Sequence, residues 1–183
     1  CTYVDLTAAF NDIYNYREIT GPITLNLTSY YKSKEEDVFP ITINPLSGAS
    51  ATNTVTIKPA SGTTDTIAGN STSSIIRLYG ADYITIDGSN NGTTSKDLVI
   101  QNTSTSSIRA AIQISSRGVN NGATFNTIKN TIIMAGNYTA TNYGISIGNN
   151  IGGSGDDNDN ININNNLILK ANYGIYAFGT GSG

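Results

Sequence analysis

The residues best suited to chemistry lie in one short stretch, GGSGDDNDN from Gly152 to Asn160, where Asp156, Asp157 and Asp159 form the densest carboxylate cluster of the chain. Its G-G-x-G-x-D opening matches the calcium-binding nonapeptide of repetitive β-helices, and calcium prefers such hard oxygen ligands. Calcium is therefore the candidate cofactor of Asp156, Asp157 and Asp159. Three features oppose it. The motif occurs once, whereas such sites are built from consecutive nonapeptides; Asn158 stands at the next expected aliphatic position; and Arg117 is available to neutralise the carboxylates.

Other chemistry is narrowed by what is missing. The chain has no His, which removes Ser-His-Asp hydrolysis and most zinc sites. Gly-rich pieces such as NIGGSG lack a following Lys-Ser/Thr, so they do not read as phosphate loops. Polysaccharide cleavage survives as an enzymatic alternative. A glycoside hydrolase needs two carboxyl groups across the scissile bond, for which Asp87 and Asp97 are the candidates with Asp65 and Asp82 nearby. A lyase needs calcium carboxylates and a basic residue, which only Arg77 or Lys129 could supply from a strand.

The elements that must position these residues are visible as an internal repeat. Thr24-Leu25, Thr56-Ile57, Thr85-Ile86, Thr127-Ile128 and Asn162-Ile163 form one series, with steps of 32, 29, 42 and 35. A second runs through Ile41/Ile43, Ile76/Leu78, Ile112/Ile114, Ile145/Ile147 and Ile175/Ala177, with steps of 35, 36, 33 and 30. A third, centred on Ile67, Ile100, Met134 and Leu169, lies between them. Alternation within each series marks short strands with one face inward. Three strands per variable repeat predict an all-β fold, a right-handed three-sided parallel β-helix of about five coils and about 25 Å of rod. The segments TIKNTIIMAGN (127–137) and NINNNLILKAN (162–172) superimpose at an offset of 35, whereas the two NYGI segments are 30 apart, so one loop is longer by five residues.

Equivalent positions stack in such a rod, and this changes what the polar residues mean. Lys58, Asp87 and Lys129 follow the first-series aliphatics and should form an outward ladder of alternating charge. Asn130 and Asn165 should stack at a turn, where Asn tolerates left-handed dihedrals, and Tyr143 should stack on Tyr173. The four Thr residues give a single outward rank, whereas ice-binding faces generally need two. The acidic stretch falls in the corner after Ile147, above the equivalent corner Ser115–Asn126.

Residues 1–22 read as an N-terminal capping helix and 23–183 as the β-helix. Leu6, Ala9, Phe10, Ile13 and Tyr14 have helical spacing, with Asp5 or Thr7 as N-cap and Gly21-Pro22 as the stop. The chain finishes on a strand pattern, YGIYAFGTGSG, without a cap. An open coil of this kind presents unpaired edges, so further β-helix coils or other copies of the chain are its expected partners.

Bulk properties bound the rest. The length of 183 residues suits one domain, and 38% hydrophobic residues with eleven Tyr argue against disorder. A net charge of −3 leaves no basic footprint for nucleic acid, and no apolar run of about 18 residues is present to span a membrane. Cys1 is the only cysteine, so no internal disulfide forms; it is read either as a lipidated terminus or as a residue inside a longer protein. A polar, Cys-poor, Thr/Asn-rich chain suits an exported bacterial protein.

LTAAFNDI, FPITINPLSGASATNTVTIKPASG, GADYITIDGSNNGTTSKDLVIQNTS and YGIYAFGTGSG together resemble the large β-helix surface proteins of Bacteroidetes-type bacteria, which are similar to pectate lyases without their catalytic residues. That resemblance implies a secreted, cell-surface role in adhesion or scaffolding and brings no catalytic residue with it. The expected function is a non-enzymatic extracellular structural or adhesive module that associates end to end, with surface glycans as further partners. The alternative is a polysaccharide-binding or polysaccharide-cleaving domain.

Overall fold

The computed structural model describes residues 2–36, 38–136 and 141–180. Cys1 and the last three residues of the sequence lie outside them, as do 137–140 in the longer loop expected from the repeat.

Among the described residues one α-helix, α1 (Leu6–Tyr16), precedes fourteen strands. Coil 1 holds β1 (Ile23–Leu27) and β2 (Ile41–Ile43), with a 3₁₀ turn, Ser33–Glu35, where later coils have a third strand. Coil 2 holds β3 (Val55–Pro59), β4 (Asp65–Gly69) and β5 (Ile76–Tyr79). Coil 3 holds β6 (Ile84–Asp87), β7 (Leu98–Asn102) and β8 (Ile108–Ser115). Coil 4 holds β9 (Thr127–Lys129), β10 (Thr131–Met134) and β11 (Thr141–Ile147), and coil 5 holds β12 (Asn162–Asn164), β13 (Leu167–Leu169) and β14 (Tyr173–Ala177). The strands stack into three parallel sheets, β1-β3-β6-β9-β12, β4-β7-β10-β13 and β2-β5-β8-β11-β14. The protein is thus a parallel β-solenoid of about five turns with one N-terminal helix.

The first two series pair in the register that their spacing predicts: Leu25 with Ile57, Ile86 with Ile128, Ile112 with Ile145, and Ile145 with Ile175. The third differs by one residue. Ile100 pairs with Ile133 and Ile133 with Ile168, so the inward column is Ile67, Ile100, Ile133, Ile168, and Met134 and Leu169 lie outside it. A one-residue shift reverses every side chain of a strand, and the uninterrupted apolar runs TIIM and LIL contain no alternation to show which face turns in. The core consists of these columns, nearly all Ile and Leu, and is sealed from solvent through coils 2 and 3 and most of coil 4, where Ile147 is only partly buried.

At the N-terminal end α1 buries Leu6, Ala9, Phe10 and Ile13 over the first coil. Asp5 is the N-cap, its Oδ1 accepting from Ala8 N at 2.6 Å. Two details depart from expectation. Tyr14 falls off the buried stripe and is 43% exposed. The helix ends at Tyr16, well before Gly21-Pro22, because Arg17 turns to extended backbone. This lets Ile19 enter the core, where its N–H bonds to Ser47 O at 2.8 Å.

Candidate functional site

The polar side chains of interest fall on the corners between strands, where successive loops lie on one another. The corner 116–126 of coil 3 carries the corner 148–161 of coil 4. Ala123 N donates to Asn158 Oδ1 at 3.0 Å, Asp156 N to Ser116 Oγ at 3.2 Å, and Phe125 N to Asp159 O at 3.1 Å. Gly122 fits this stack because a Cβ there would come within 1.6 Å of Asp157 O. Asn158, which breaks the calcium motif, is thus an inter-loop clamp.

Two of the three carboxylates of this corner are separately engaged, and the third residue bonds through its main chain. Asp156 Oδ1 accepts from Thr180 Oγ1 at 2.5 Å, and Asp157 Oδ2 accepts from the main-chain N–H of Asn120. Asp159 contributes its carbonyl to Phe125. All three line a cleft of about 370 Å³ with Phe178 on its wall. Among the described residues no group of three acidic or thiol side chains converges as a metal site would require. Arg117 does not neutralise them. Its guanidinium lies 5.3 Å from the Tyr79 ring, and the same ring carries Arg77 at 3.9 Å. Arg77 Nε also donates to Ser115 Oγ at 2.9 Å, and burial lowers the pKa of this guanidinium.

Each acid of the glycosidase alternative is likewise committed to the scaffold. Asp82 Oδ1 accepts from both N and Oγ1 of Thr124 at 2.7 Å, joining coil 3 to the next corner. Asp65 accepts from Thr63 Oγ1 at 2.9 Å, and burial raises its pKa, offset in part by that hydroxyl and by Lys32. Asp97 Oδ2 takes Ser95 Oγ at 2.6 Å and Asn90 N at 3.0 Å. Asp87 is only 8% exposed and accepts from Ser89 N at 3.0 Å and Asn130 Nδ2 at 2.8 Å, with Lys129 Nζ at 3.2 Å. Burial alone would raise its pKa; the bonds from Asn130 and Ser89, with the Lys129 ammonium, outweigh that and lower it.

The expected charge ladder is therefore only half formed. Among the described residues the ion pairs are Lys129–Asp87 and Arg17–Asp12, with none from Lys58. Asp87 points outward from β6, in register with Lys129, but it is not solvent-exposed, because the loop 88–97 covers it. That loop runs along the rod rather than around it. Asn90 Nδ2 reaches back to Thr63 O in coil 2 at 2.7 Å, while Asn130 Nδ2 and Asn165 Nδ2 from coils 4 and 5 donate to Thr93 O and Thr94 O at 3.3 and 3.1 Å. Lys96 Nζ donates to Asn165 Oδ1 at 2.9 Å.

The expected stacks are present. Asn165 Nδ2 donates to Asn130 Oδ1 at 2.8 Å, and both residues have φ near the left-handed region, 52° and 57°. The rings of Tyr143 and Tyr173 stack at 5.0 Å, and Tyr176 meets both edge-on. A second stack, Tyr83 on Phe125 at 5.1 Å and 3°, goes unnoticed in the sequence although its spacing equals that of Thr85 and Thr127.

Sequence reasoning also missed Glu36. This 5% exposed carboxylate accepts from Leu6 N, Thr7 N, Thr7 Oγ1 and the Tyr31 hydroxyl at 2.8, 3.1, 2.7 and 3.0 Å. It satisfies the orphan donors of the first helical turn. Burial first, and the neighbouring Glu36 second, drive the Tyr31 phenol pKa upward.

No family model, curated protein or solved structure matches the chain.

Proposed function

We propose that the chain is a non-enzymatic structural module, a stiff rod segment of a bacterial cell-surface or secreted protein that displays corner loops. One observation carries this reading: the carboxylates that could serve as acid or base are instead bonded to donors of the scaffold, several of them holding one loop or coil to another. Asp82 clamps Thr124, Asp87 clamps Asn130 and Lys129, and Asp157 clamps Asn120. General acid–base work needs groups in reach of a substrate, and these are directed at protein donors. The composition and the resemblance to β-helix surface proteins support the extracellular setting.

The partner of the rod, in this reading, is another set of β-helix coils at the last turn, from the same polypeptide or another copy. Ile175, whose equivalents Ile112 and Ile145 are sealed, is 50% exposed there, and β12, β13 and β14 each have a neighbour on one side only. Incubation with polygalacturonate and alginate, with and without calcium, is expected to release no product, and calcium is expected to leave Tm unchanged. Product release would overturn the structural reading. Sedimentation should detect association that Ile175→Asp abolishes.

A second reading, glycan binding, is favoured by the aromatic cluster of Tyr143, Tyr173, Tyr176 and Phe178, in which Tyr173 and Phe178 are exposed. Retention on a polysaccharide column that Tyr173→Ala removes would establish it.

A further inference from the structure

The opposite end of the rod carries a different opening. Of the three sheet edges in that direction, β2 has α1 packed against it and β4 has the 3₁₀ turn Ser33–Glu35. Edge strand β1 has β3 as its sole sheet neighbour. On its free side lies a groove of about 480 Å³, within the roughly 300–1,000 Å³ typical of ligand clefts.

The register identifies what β1 offers. Ile23 N donates to Thr54 O and Leu27 O accepts from Ala60 N, at 2.8 and 2.7 Å. In a parallel ladder residues 23, 25 and 27 therefore direct both main-chain groups at β3, and 24 and 26 direct theirs the other way. No described group hydrogen-bonds the main-chain N–H or C=O of Thr24 or Asn26. Two donors and two acceptors thus repeat at strand spacing along the groove floor. The same floor is apolar on its inner side, with Leu25 only partly covered beside Leu6 and Ala9. Tyr30, 89% exposed, and Tyr31 form part of the wall. Among the described residues the charged ones lining the groove are Asp5 and Glu35, with no Lys or Arg among them.

We propose that this edge accepts an extended segment of another polypeptide by β-strand addition, and that the segment is basic with alternating apolar residues. The alternating main-chain groups call for a peptide backbone, the incompletely covered Leu25 for apolar side chains at every second position, and Asp5 with Glu35 for a positive charge. This site is independent of the association at the last coil.

The test uses the full chain and a fluorescein-labelled peptide, KTVTIKK, read by fluorescence polarisation. Two further peptides carry N-methyl groups at either the odd or the even backbone nitrogens. Saturable binding is expected for the parent peptide and for one methylated form, with the other form inactive, since only alternate N–H groups face β1. Thr24→Pro removes a donor that has no partner among the described residues, so Tm should hold while affinity falls about tenfold. Glu35→Lys should weaken the peptide comparably and make its binding less salt-dependent. Failure of the parent peptide to bind, equal binding of both methylated forms, or an unchanged affinity in Thr24→Pro would overturn the proposal. So would a dimer that Thr24→Pro dissolves, which would place a second copy in the groove.

Discussion

The first and the last described coils are covered differently. A solenoid coil has inward side chains above and below, so each end leaves one layer of core and three strand edges without neighbours. At the N-terminal end α1 covers the layer, and Asp5 and Glu36 satisfy the helix's own orphan donors. At the last coil the inward Ile163, Ile168 and Ile175 are all partly or half exposed. The contrast shows that repetition builds the column but does not end it: an ending needs non-repeating residues, and Phe10 and Glu36 have no counterparts in later coils.

The largest expected effect breaks the capped end. Phe10 is 2% exposed and belongs to the continuous core. Phe10→Ala should cost about 4 kcal/mol, measured by urea denaturation, and should open the first coil before the rest as read by hydrogen exchange.

The next test compares adjacent members of one column. Ile145 is fully buried and pairs directly with Ile175 in the last coil. Ile145→Ala should cost about 3 kcal/mol, whereas Ile175→Ala in dilute monomer should cost about 1 kcal/mol or less, since half its surface is already in water. Equal losses would mean that Ile175 is covered in solution.

The columns could be read from sequence because an inward position in a stacked coil accepts little except Ile, Leu or Val, and this constraint recurs every turn. Legibility failed where recurrence or alternation failed. In TIIM and LIL both faces are apolar, so Met134 reads as well as Ile133. Glu36 reaches Leu6 across thirty residues of chain, and a single Glu carries no spacing to notice. At the acidic corner the loop stacking was legible from the offset, but the side-chain partners were not. Arg117 turns to Tyr79 because a guanidinium over an aromatic face gains from both packing and charge.

Glu36→Ala tests the cap without touching its apolar layer. It removes acceptors from Leu6 N and Thr7 N, and an unsatisfied buried donor costs about 1–3 kcal/mol. A loss of about 2 kcal/mol is expected, together with lower helicity in the far-ultraviolet circular dichroism of residual native protein. The same change should lower the pKa of the Tyr31 phenol, because part of its elevation comes from the adjacent carboxylate.

The smallest effect concerns two acids that look alike by exposure, since Asp65 and Asp87 are each 8% exposed. Asp65 sits on β4 beside the irregular first coil, where burial dominates and raises its pKa. Asp87 lies under the loop 88–97, where Asn130, Ser89 and Lys129 overcome burial and lower it. A raised folded-state value means that native protein binds the Asp65 proton more tightly than the unfolded chain, so this contribution is present below about pH 3.9 and is lost as pH rises through the folded value. Asp87 contributes in the opposite sense, fully present above about pH 3.9 and lost as pH falls through its own lower value. Asp65→Asn should therefore raise Tm at pH 7 and Asp87→Asn should lower it, and both pH-dependent differences should shrink by pH 3. Melting curves from pH 3 to 7 decide this: two variants that both raise Tm at pH 7 would show that burial governs both acids, and two that both lower it would show that hydrogen bonding does.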